Sequence, residues 1–539
     1  MAKILLINPV IREEDNPKHI PYGLSLMAAI AIAENHEVQF YDANAWRQGY
    51  DIIKEICLAD DWDVIGIGGL TTAYSDIKKT VKICKENSPR SFIIAGGGFL
   101  TSMPLEMMSW LPEIDLGIIG EAFVTWPEIL KKIDGDDFDF KNTLGVCYRD
   151  ENHTPVLNSV RPNIRDLDSL PYPAWDLLPM DIYFKNSQLV FSEEVFTSKR
   201  RIDINGSIGC SLICRYCWHL GTSGEMVIDK NEDGQNDVRF TYGRLIRHHS
   251  PRYIVDMIKH LVNKYDIDFC SFIDENLMTM DVFSHRKWLF ELCDLWIKEG
   301  LQPGCRKKGI KHDETCTGVH WSGTSHAGLA RKDTLDAMYQ AGCSHLVYGI
   351  ESFDPLILKK IGKGADQRAN VRGIQQCLES GIAPLPNIII GFPEETFSSI
   401  RITLEWMLKL GIHAKPHFAT PYPGSEWYYT YKDSIIEQYN GNLEAFIEDL
   451  GDASKITAVI SEKFSGMQLL GLQQIIEKRD LRLLDQAERH WANADQLIQP
   501  VAKPQESFHI IPKKVKAPVY PTEGIPPTEA MPPFLRKVL

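Results

Sequence analysis

Three cysteines fall within eight residues of the 539-residue chain, in the run GCSLICRYCWHL at residues 209–220. Cys210, Cys214 and Cys217 have the spacing C-x3-C-x2-C, and His219 follows two residues after the last of them. A short loop that carries three thiolates can wrap one face of a cubane iron–sulfur cluster. Because no fourth cysteine lies near, one iron of such a cluster would have no protein ligand. The run therefore predicts a cluster that leaves one iron open to another molecule.

Two other interpretations of this run remain open from the residues alone. A structural zinc site could use the three thiols with His219 as its fourth ligand, although closed zinc sites usually combine two ligand sets from separate segments. Alternatively, the three thiols bind no metal at all. The other nine cysteines are scattered along the chain, most of them in apolar contexts that are typical of reduced core thiols in a reducing compartment.

The cysteine run directly follows the first of six strand-like runs that alternate with helical patterns from about residue 200. These six runs read RIDINGS, FCSFIDEN, GVHWSGTSH, HLVYGIES, PLPNIIIG and HAKPHFATPYP. Six consecutive strand–helix units predict a complete or partial parallel β/α barrel, whose active site lies at the carboxyl ends of its strands. The cysteine loop is therefore expected at the mouth of the barrel.

Polar residues stand at the predicted carboxyl ends of the five later strands. They are Asp274, Glu275, Asn276, Ser325, His326, Glu351, Ser352, Asn387, His417 and Tyr422. A single polar strand end can simply face solvent, but five strands that all end this way indicate a common site. His326 could transfer protons, although we favour a structural histidine whose ring nitrogens are bonded within the protein.

The first part of the chain contains a second strand–helix alternation, with strand-like runs KILLINPV, HEVQFYDA, DVIGIGGL, SFIIAGGG and DLGIIG. Strands that are apolar on both faces and joined by helices predict a parallel, doubly wound, Rossmann-like sheet. Ligands of such sheets bind at the carboxyl ends of the strands, where this chain has GGLTT, GGGFLTS and GEAF. The glycines there would let a ligand approach the backbone, or they could only serve tight turns. A G-x-G-x-x-G sequence is absent after the first strand, which argues against a plain dehydrogenase.

These patterns divide the chain into five segments. We predict a Rossmann-like domain at 1–140, a hairpin and linker at 141–199, the β/α barrel at 200–430, a mainly helical region at 431–498 and a proline-rich tail at 499–539. The net charge of −14 provides no field that would favour nucleic acid. No apolar run approaches the roughly 20 residues of a membrane span, and the first residues lack the layout of a signal peptide. We therefore expect a cytoplasmic protein.

The ordered motifs resemble those of the radical S-adenosylmethionine (SAM) enzymes, in the subclass that has an N-terminal cobalamin-binding domain. CSLICRYC, with the aromatic Tyr216 before its last cysteine, is similar to the cluster motif of that superfamily. GGLTT, AGGGFLTSMP, IIGEAF and DLDSLPYPAWDLLP are similar to the cobalamin-binding domain and its linker, and FIDENLM, AGCSHLVYGIES and NIIIGFPEET are similar to the barrel. The resemblance covers residues 1–430.

The resemblance implies a [4Fe–4S] cluster held by Cys210, Cys214 and Cys217, with S-adenosylmethionine bound to the fourth iron. Electron transfer would then cleave S-adenosylmethionine to a radical that removes hydrogen from a substrate, and His219 would be a neighbour and not a ligand. The cofactor-contacting residues implied in the barrel are Tyr216, Asp274, Glu275, His326, Glu351, Ser352, Asn387 and Gly391.

Cobalamin is the third cofactor that the resemblance implies. The residues implied to contact it are Leu70, Thr71, Thr72, Gly96, Gly97, Gly98, Gly120 and Glu121. The chain has no D-x-H-x-x-G sequence, which in other cobalamin proteins supplies a histidine to the lower face of the cobalt. The resemblance therefore implies base-off cobalamin without a histidine ligand.

The function implied is methylation of an unactivated carbon or phosphorus of a small-molecule substrate, with an external electron donor such as flavodoxin or ferredoxin. A cyclase, oxidase or rearrangement enzyme that transfers no methyl group is the alternative on the same scaffold. A non-catalytic sensor of cobalamin or an iron–sulfur cluster is the hypothesis from another class.

One further segment, PGCRKKGIKHDETC at residues 303–316, contains Cys305, His312 and Cys316. It could form an auxiliary metal site. We interpret the two cysteines as lone loop thiols beside a charged stretch.

Overall fold

The computed structural model describes residues 1–187, 189, 191–218, 226–230, 234–240 and 245–494. His219 and the proline-rich tail at 499–539, which both figure in the sequence predictions, lie outside the described residues.

A seven-stranded sheet forms the first domain, in the order β2-β1-β3-β4-β5-β6-β7. The first five strands are mutually parallel, and the hairpin β6–β7 extends the sheet antiparallel to β5. This confirms the doubly wound fold, and the predicted hairpin is part of the same sheet. The strands are β1 Lys3–Asn8, β2 Glu37–Asp42, β3 Val64–Gly68, β4 Phe92–Gly96, β5 Leu116–Ile118, β6 Val146–Arg149 and β7 Pro155–Leu157.

Helices cover both faces of this sheet because each presents an apolar stripe to it. In the helix Tyr74–Asn87, for example, the buried residues Ile77, Val81 and Cys84 recur at helical spacing. The helices of this domain are α1 Tyr22–Ala33, α2 Ala43–Trp46, α3 Tyr50–Leu58, α4 Tyr74–Asn87, α5 Gly98–Ser102, α6 Pro104–Trp110 and α7 Thr125–Asp134, with a 3₁₀ helix at Thr71–Ala73.

The proline-rich linker packs against both domains. The Tyr183 hydroxyl donates a hydrogen bond to the buried Asp42 carboxylate over 2.5 Å. On the other side, the Tyr172 ring makes an edge contact with Tyr253 of the second domain. The linker contains α8 Met180–Lys185, α9 Glu193–Phe196 and the 3₁₀ helices Leu167–Ser169 and Trp175–Leu177.

A six-stranded parallel sheet forms the second domain, and its strands follow one another in chain order, which confirms the partial barrel. The strands are β8 Arg201–Ile204, β13 Phe269–Phe272, β14 His320–Ser325, β15 Cys343–Glu351, β16 Ala383–Ile390 and β17 His417–Phe418. The helices between them are α10 Pro251–Tyr265, α11 Thr279–Phe283, α12 Lys287–Lys298, α13 Gly304–Lys308, α14 Lys332–Gln340, α15 Pro355–Lys360, α16 Gln367–Glu379 and α17 Phe397–Leu410, with a 3₁₀ helix at Ala327–Leu329.

The segment between β8 and α10 extends away from the barrel and reaches the first domain. It contains β9 Ser207–Ile208 paired with β12 Arg247–His248, and the hairpin β10 Met226–Lys230 with β11 Asn236–Phe240. Val238 is buried in the core of the first domain, and the Asn236 side chain donates a hydrogen bond to the Leu157 carbonyl over 3.0 Å. The chain that follows the cysteine run is therefore attached to both domains.

The C-terminal helices also contact both domains. Phe446 and Ile447 pack into the core of the first domain, whereas Leu469 and Leu472 pack into that of the barrel. These helices are α18 Glu426–Thr430, α19 Lys432–Gln438, α20 Leu443–Asp449, α21 Gly466–Lys478 and α22 Leu481–Ala494. In the part of the chain that the structure describes, no helix combines the length and apolar character needed to cross a bilayer.

Candidate active site

The cysteine loop lies at the carboxyl end of β8. Cys214 is buried, Cys210 is half-buried and Cys217 is exposed. The Cys217 amide donates a hydrogen bond to the Cys214 carbonyl over 3.1 Å, which closes a turn between two of the three thiols. The Arg215 amide donates to the Ile361 carbonyl over 3.0 Å and so fixes the loop to the chain that follows α15. The three thiols therefore lie at one end of the barrel on a loop whose backbone is anchored.

The polar residues at the end of β13 support this loop. The buried Asp274 accepts hydrogen bonds from the Gly206 amide over 3.0 Å and from the Ser207 hydroxyl. Glu275 accepts from the Gly209 amide over 2.9 Å. Burial raises the pKa of Asp274 to about 6, because its backbone partners only partly offset the loss of hydration. Asp274 and Glu275 thus hold the backbone that leads into the cysteines.

Asn276 reaches the first cysteine directly. Its side-chain amide lies 3.8 Å from the Cys210 sulfur, and its carbonyl oxygen accepts a hydrogen bond from the Ser325 hydroxyl over 3.3 Å. An amide donor near a sulfur stabilises negative charge on a thiolate. Ser325, at the end of β14, therefore orients a group that contacts the cysteine loop.

A buried cluster of Tyr216, Glu351 and Lys363 lies beside the cysteines. The Tyr216 hydroxyl donates to Glu351 Oε1 over 2.8 Å, and the Lys363 ammonium donates to the same oxygen over 2.7 Å and to the Tyr216 hydroxyl over 2.9 Å. Burial lowers the pKa of Lys363, but Glu351 together with the nearby Cys214 and Cys217 raises it further, so the pKa lies above its usual value. Burial raises the pKa of Tyr216 well above its usual range, so the phenol stays protonated as a donor.

Glu351 carries two features that are unusual for the last residue of a strand. Its backbone is left-handed, with φ of +62°, and its Oε2 is buried without a hydrogen-bond partner among the described residues. A buried carboxylate oxygen normally has a donor, so Oε2 fits a polar group of a bound molecule. The ion pair between Glu351 and Lys363 fits here because position 349 is glycine. A β-carbon on Gly349 would lie 2.5 Å from Glu351 Oε1 and 2.6 Å from Lys363 Nζ.

His326 contacts the same cluster through the backbone. Its Nδ1 accepts a hydrogen bond from the Gly328 amide over 3.1 Å, so Nε2 carries the proton and donates it to the Lys363 carbonyl over 3.0 Å. Burial, and then the positive charge of Lys363, lower the pKa of His326 to about 4. The imidazole is therefore neutral with both nitrogens engaged, and it holds the backbone of Lys363 in place.

The other predicted residues of the barrel, Ser352, Gly391 and Asn387, differ in whether their polar groups are accessible to a ligand. The Ser352 hydroxyl is buried and bonded to the Thr403 hydroxyl and the Asp354 amide. The Gly391 amide donates to the Glu395 carboxyl over 2.6 Å. Asn387, in contrast, is exposed and pairs in register with Gly349, just before the β-bulge that separates Gly349 from Glu351. Of the three, Asn387 is the side chain accessible to a ligand.

The carboxyl edge of the first sheet approaches the cysteine loop. The Trp218 ring, which directly follows Cys217, lies 2.8 Å from where a β-carbon on Gly98 would be. Leu70 lies beside it and is 50% exposed, which is unusual for a leucine at the end of a buried strand. Gly97 has φ of +98°, and a β-carbon there would lie 2.6 Å from the Gly69 carbonyl. The two glycines therefore allow the Gly69 backbone and the Trp218 ring to approach this edge closely.

The remaining predicted residues of the first domain surround this edge. Gly96 ends β4, and the Thr71 hydroxyl bonds to that of Ser102 over 3.2 Å. Thr72, in the 3₁₀ helix that follows Leu70, is half-buried. The Gly120 amide donates to the Thr101 hydroxyl over 3.0 Å. Glu121 does not face the edge as a free carboxylate, because it forms a buried ion pair of 2.7 Å with Arg247 and accepts from the Ile164 amide.

Two family models match the chain, and each coincides with one of the two domains. The model of the radical SAM superfamily matches residues 204–407, and that of the B12 binding domain matches residues 9–130. The chain contains a radical SAM domain and a cobalamin-binding domain. The matched ranges contain the cysteine loop, the Glu351 cluster and the carboxyl edge of the first sheet. The resemblance seen in the sequence is thereby confirmed for this radical SAM protein.

Individual proteins match most of the chain. The chain is 28% identical over 447 residues to an uncharacterised methyltransferase of Pyrococcus horikoshii, covering 82% of this chain and 85% of the relative. It is 25% identical over 417 residues to an anaerobic magnesium-protoporphyrin IX monomethyl ester cyclase of Rubrivivax gelatinosus, covering 75% of this chain and 65% of the relative. It thus spans less than two thirds of the cyclase.

Among solved structures, the radical S-adenosylmethionine methyltransferase TsrM of Kitasatospora setae superposes with a TM-score of 0.61. The two chains are 14% identical, and the match covers 81% of this chain and 79% of TsrM. That structure holds cobalamin and a [4Fe–4S] cluster. At this identity the likeness establishes the fold, which is the same two-domain arrangement.

Sequence reasoning missed two residues of this site. Lys363 follows α15 in a run of ordinary surface composition, and nothing in that run indicates burial. Trp218 stood in the quoted cysteine run, but no role was inferred for it. A tryptophan directly after a metal-binding motif was a usable signal, because so large an apolar ring is seldom left in solvent.

Proposed function

We propose that this protein methylates an unactivated carbon or phosphorus of a small-molecule substrate, using a [4Fe–4S] cluster, S-adenosylmethionine and cobalamin. The observation that supports this most directly is the contact of Trp218 with Gly98. It joins the residue after the last cysteine to the ligand edge of the cobalamin-binding domain. Two cofactors held at these places would face one cavity, as a reaction that uses both requires.

The residues present fit the three groups. Cys210, Cys214 and Cys217 would hold the cluster. Glu351 Oε2, which has no hydrogen-bond partner among the described residues, would accept a hydrogen bond from S-adenosylmethionine, and the exposed Asn387 lies on the neighbouring strand. The exposed Gly97 and Leu70, together with Gly98 and the half-buried Thr72 and Gly96, would receive cobalamin. We infer no histidine ligand to its cobalt.

When bound, these groups supply hydrogen-atom abstraction and a transferable methyl group, and the chain's own residues prepare the site for them. Lys363 compensates the charge of the buried Glu351 carboxylate. Asn276 donates toward the Cys210 sulfur, and Asp274 and Glu275 fix the loop backbone. Trp218 packs against Gly98 and so covers part of the contact between the two domains.

The proposal also includes the electron donor, the cellular location and the boundaries of the two cofactor domains. We infer an external donor of single electrons such as flavodoxin or ferredoxin, because the cleavage of S-adenosylmethionine consumes an electron that the cluster has to receive. We infer a cytoplasmic location from the many reduced thiols. We also propose that residues 1–140 and 200–430 are the two cofactor domains, joined by 141–199.

The test is anaerobic reconstitution with iron, sulfide and cobalamin, followed by mass analysis of the products formed with methyl-labelled S-adenosylmethionine. A methyltransferase releases S-adenosylhomocysteine as well as 5′-deoxyadenosine, and its product gains one labelled methyl group. A cyclase, the activity of the Rubrivivax relative, releases no S-adenosylhomocysteine. A sensor forms neither product.

The matched variants are Cys214→Ser and Cys293→Ser. Cys214→Ser removes a cluster ligand, so we expect 5′-deoxyadenosine formation to be abolished. Cys293 is a buried thiol on α12, away from the cysteine loop, and its serine variant should keep cleavage activity if it folds. Cleavage that persisted in Cys214→Ser would refute the cluster assignment.

A further inference from the structure

The insertion before β14 gathers four metal-ligating side chains far from the cysteine loop. Cys305 lies in α13, His312 and Cys316 lie in the loop that follows, and His320 begins β14. One ligand atom of each lies within 4.8 Å of the ligand atoms of the other three. This corrects the interpretation of Cys305 and Cys316 as lone loop thiols. The sequence showed the cysteines, but only the folded chain brings both histidines to them.

The spacing within this cluster matches a tetrahedron around one ion. The His320 Nε2 lies 3.6 Å from the Cys305 sulfur and 4.0 Å from the Cys316 sulfur. Zinc bonds of about 2.3 Å to sulfur and about 2.0 Å to nitrogen place neighbouring ligand atoms of a tetrahedron about 3.3–3.8 Å apart. Small side-chain adjustments would therefore suffice to hold one ion at the centre of the four atoms.

In each histidine, one ring nitrogen forms a hydrogen bond to an oxygen atom, and this bond orients the ring. His320 directs Nδ1 at the Gly342 carbonyl over 3.2 Å, and this N–H donation leaves a lone pair on Nε2 facing the two sulfurs. His312 directs Nε2 at the Thr197 hydroxyl over 2.8 Å. Metal-binding histidines characteristically donate their other ring nitrogen to an oxygen in this way, which fixes tautomer and ring orientation.

His312 provides independent evidence that this cluster binds a ligand. The residue is only 9% exposed, and its Nδ1 is buried with no hydrogen-bond partner among the described residues. A buried ring nitrogen without a partner carries a desolvation cost, which a metal ion would remove. The His312 and His320 rings lie 4.9 Å apart at 90°, so this nitrogen belongs to the same cluster.

The cysteines are arranged to bind as thiolates. The Cys305 amide donates a hydrogen bond to the Cys316 sulfur over 3.2 Å, which stabilises negative charge on that sulfur. Two thiolates and one divalent ion sum to zero charge, so the buried site needs no further counterion. The neighbouring Arg306 is already compensated by Glu194, at 2.7 Å.

We propose that Cys305, His312, Cys316 and His320 bind one Zn²⁺ in a closed, structural site. Four protein ligands leave no open position for a substrate or an activated water. The site lies at the amino end of β14, whereas Ser325 lies at the carboxyl end, roughly 16 Å away along the strand. Its role is to fasten the insertion at 303–316 to the barrel, and through Thr197 to the chain that enters β8.

The first test counts metals in the full-length protein, purified anaerobically with its cofactors. We expect one zinc per chain in addition to the iron of the cluster. The double variant Cys305→Ser/Cys316→Ser should lose at least tenfold in zinc while retaining iron, and Cys214→Ser should lose iron while retaining zinc. Cys293→Ser is the control that should retain both. A wild-type protein without zinc, or zinc that persists in the double variant, would overturn the proposal.

The second test needs no variant, so misfolding cannot obscure it. X-ray absorption at the zinc edge of the wild-type holoenzyme should report two sulfur ligands at about 2.3 Å and two nitrogen ligands at about 2.0 Å. Three or four sulfur ligands would place the zinc elsewhere, for example on the cysteine loop. A Cys305–Cys316 disulfide in the anaerobically purified protein, detected by peptide mass, would also refute the site.

Discussion

The Lys363 ammonium lies 2.7 Å from the Glu351 carboxylate, and both side chains are almost fully buried. Isolated charges are rarely buried, because removing them from water costs several kcal/mol each. Here the pair is kept next to the cysteine loop, and Tyr216 bonds to both members. The second oxygen of Glu351 has no hydrogen-bond partner in the part of the chain that the structure describes.

Replacing Lys363 by methionine should destabilise the protein by about 3–5 kcal/mol, because Glu351 would remain as a buried, uncompensated charge. The double variant Lys363→Met/Glu351→Gln should recover part of that loss. The measurement is the free energy of unfolding in urea under anaerobic conditions. Lys360 is the matched control: it is half exposed, it pairs with Glu394, and Lys360→Met should change stability by less than about 1 kcal/mol. Equal effects at positions 360 and 363 would argue against a buried ion pair.

Replacing Gly97 by alanine should abolish cobalamin binding. The backbone there has φ of +98° and ψ of −166°, a conformation that costs a residue with a β-carbon about 1–3 kcal/mol, and the added atom would lie 2.6 Å from the Gly69 carbonyl. The measurement is cobalamin per chain by visible absorption after reconstitution. Gly23→Ala is the control, because Gly23 lies in α1 with no atom near its β-carbon position. Normal cobalamin content in Gly97→Ala would show that this edge is not the binding surface.

Replacing His326 by alanine should cost about 2–6 kcal/mol, because the Gly328 amide and the Lys363 carbonyl would each lose a buried partner worth about 1–3 kcal/mol. Cleavage of S-adenosylmethionine should fall as well, since Lys363 would no longer be held in place. The measurements are the urea midpoint and the rate of 5′-deoxyadenosine formation. His413→Ala, at an exposed position, should change stability by no more than about 0.5 kcal/mol. An unchanged midpoint in His326→Ala would contradict the two hydrogen bonds described here.

Glu395 should make stability depend on pH. Burial raises the pKa of Glu395 to about 8, so the folded protein binds its proton more tightly than the unfolded chain does. The resulting stabilisation is complete below the usual glutamate pKa and is lost as the pH rises toward 8. The glutamine variant keeps an acceptor for the Gly391 amide but cannot ionise. We therefore expect Glu395→Gln to gain stability relative to wild type between pH 5 and pH 9, measured as the difference in melting temperature.

Glu394 offers the control for this pH dependence, because it is the adjacent residue and pairs with Lys360 near the surface. Glu394→Gln should show the same pH dependence as wild type. A pH-independent difference between Glu395→Gln and wild type would mean that Glu395 is ionised in the folded protein at neutral pH.

Much of the fold could be predicted from the sequence, because the residue patterns that indicate it lie within short segments of the chain. Strands such as DVIGIGGL and SFIIAGGG are apolar on both faces and are followed by glycines, which indicates a buried parallel strand and a ligand edge. The spacing of Cys210, Cys214 and Cys217 indicates a cluster loop for the same reason, since one short segment supplies every ligand. The order of six strands in the barrel follows from their order in the chain, because parallel strand–helix units wind in one direction.

The roles of individual polar residues were less predictable. Asp274 and Glu275 were expected to contact a cofactor, and in the structure they bond to the backbone that leads into the cysteine loop. Glu121 was expected at the cobalamin edge and instead pairs with Arg247. A carboxylate at a strand end can serve a ligand or a neighbouring loop, and its sequence position is the same in both cases. Their roles as ligands stay predictions.

The sequence by itself determined the two sheets, the cluster loop and the superfamily, since each depends on residues that are neighbours in the chain or repeat with a fixed period. Only the tertiary structure decided which distant side chains meet. Lys363 pairs with Glu351 across helix α15, Trp218 reaches Gly98 of the other domain, and His312 and His320 converge with two cysteines. Such partners are selected by burial, because a polar or charged group removed from water requires a partner from whichever segment packs against it.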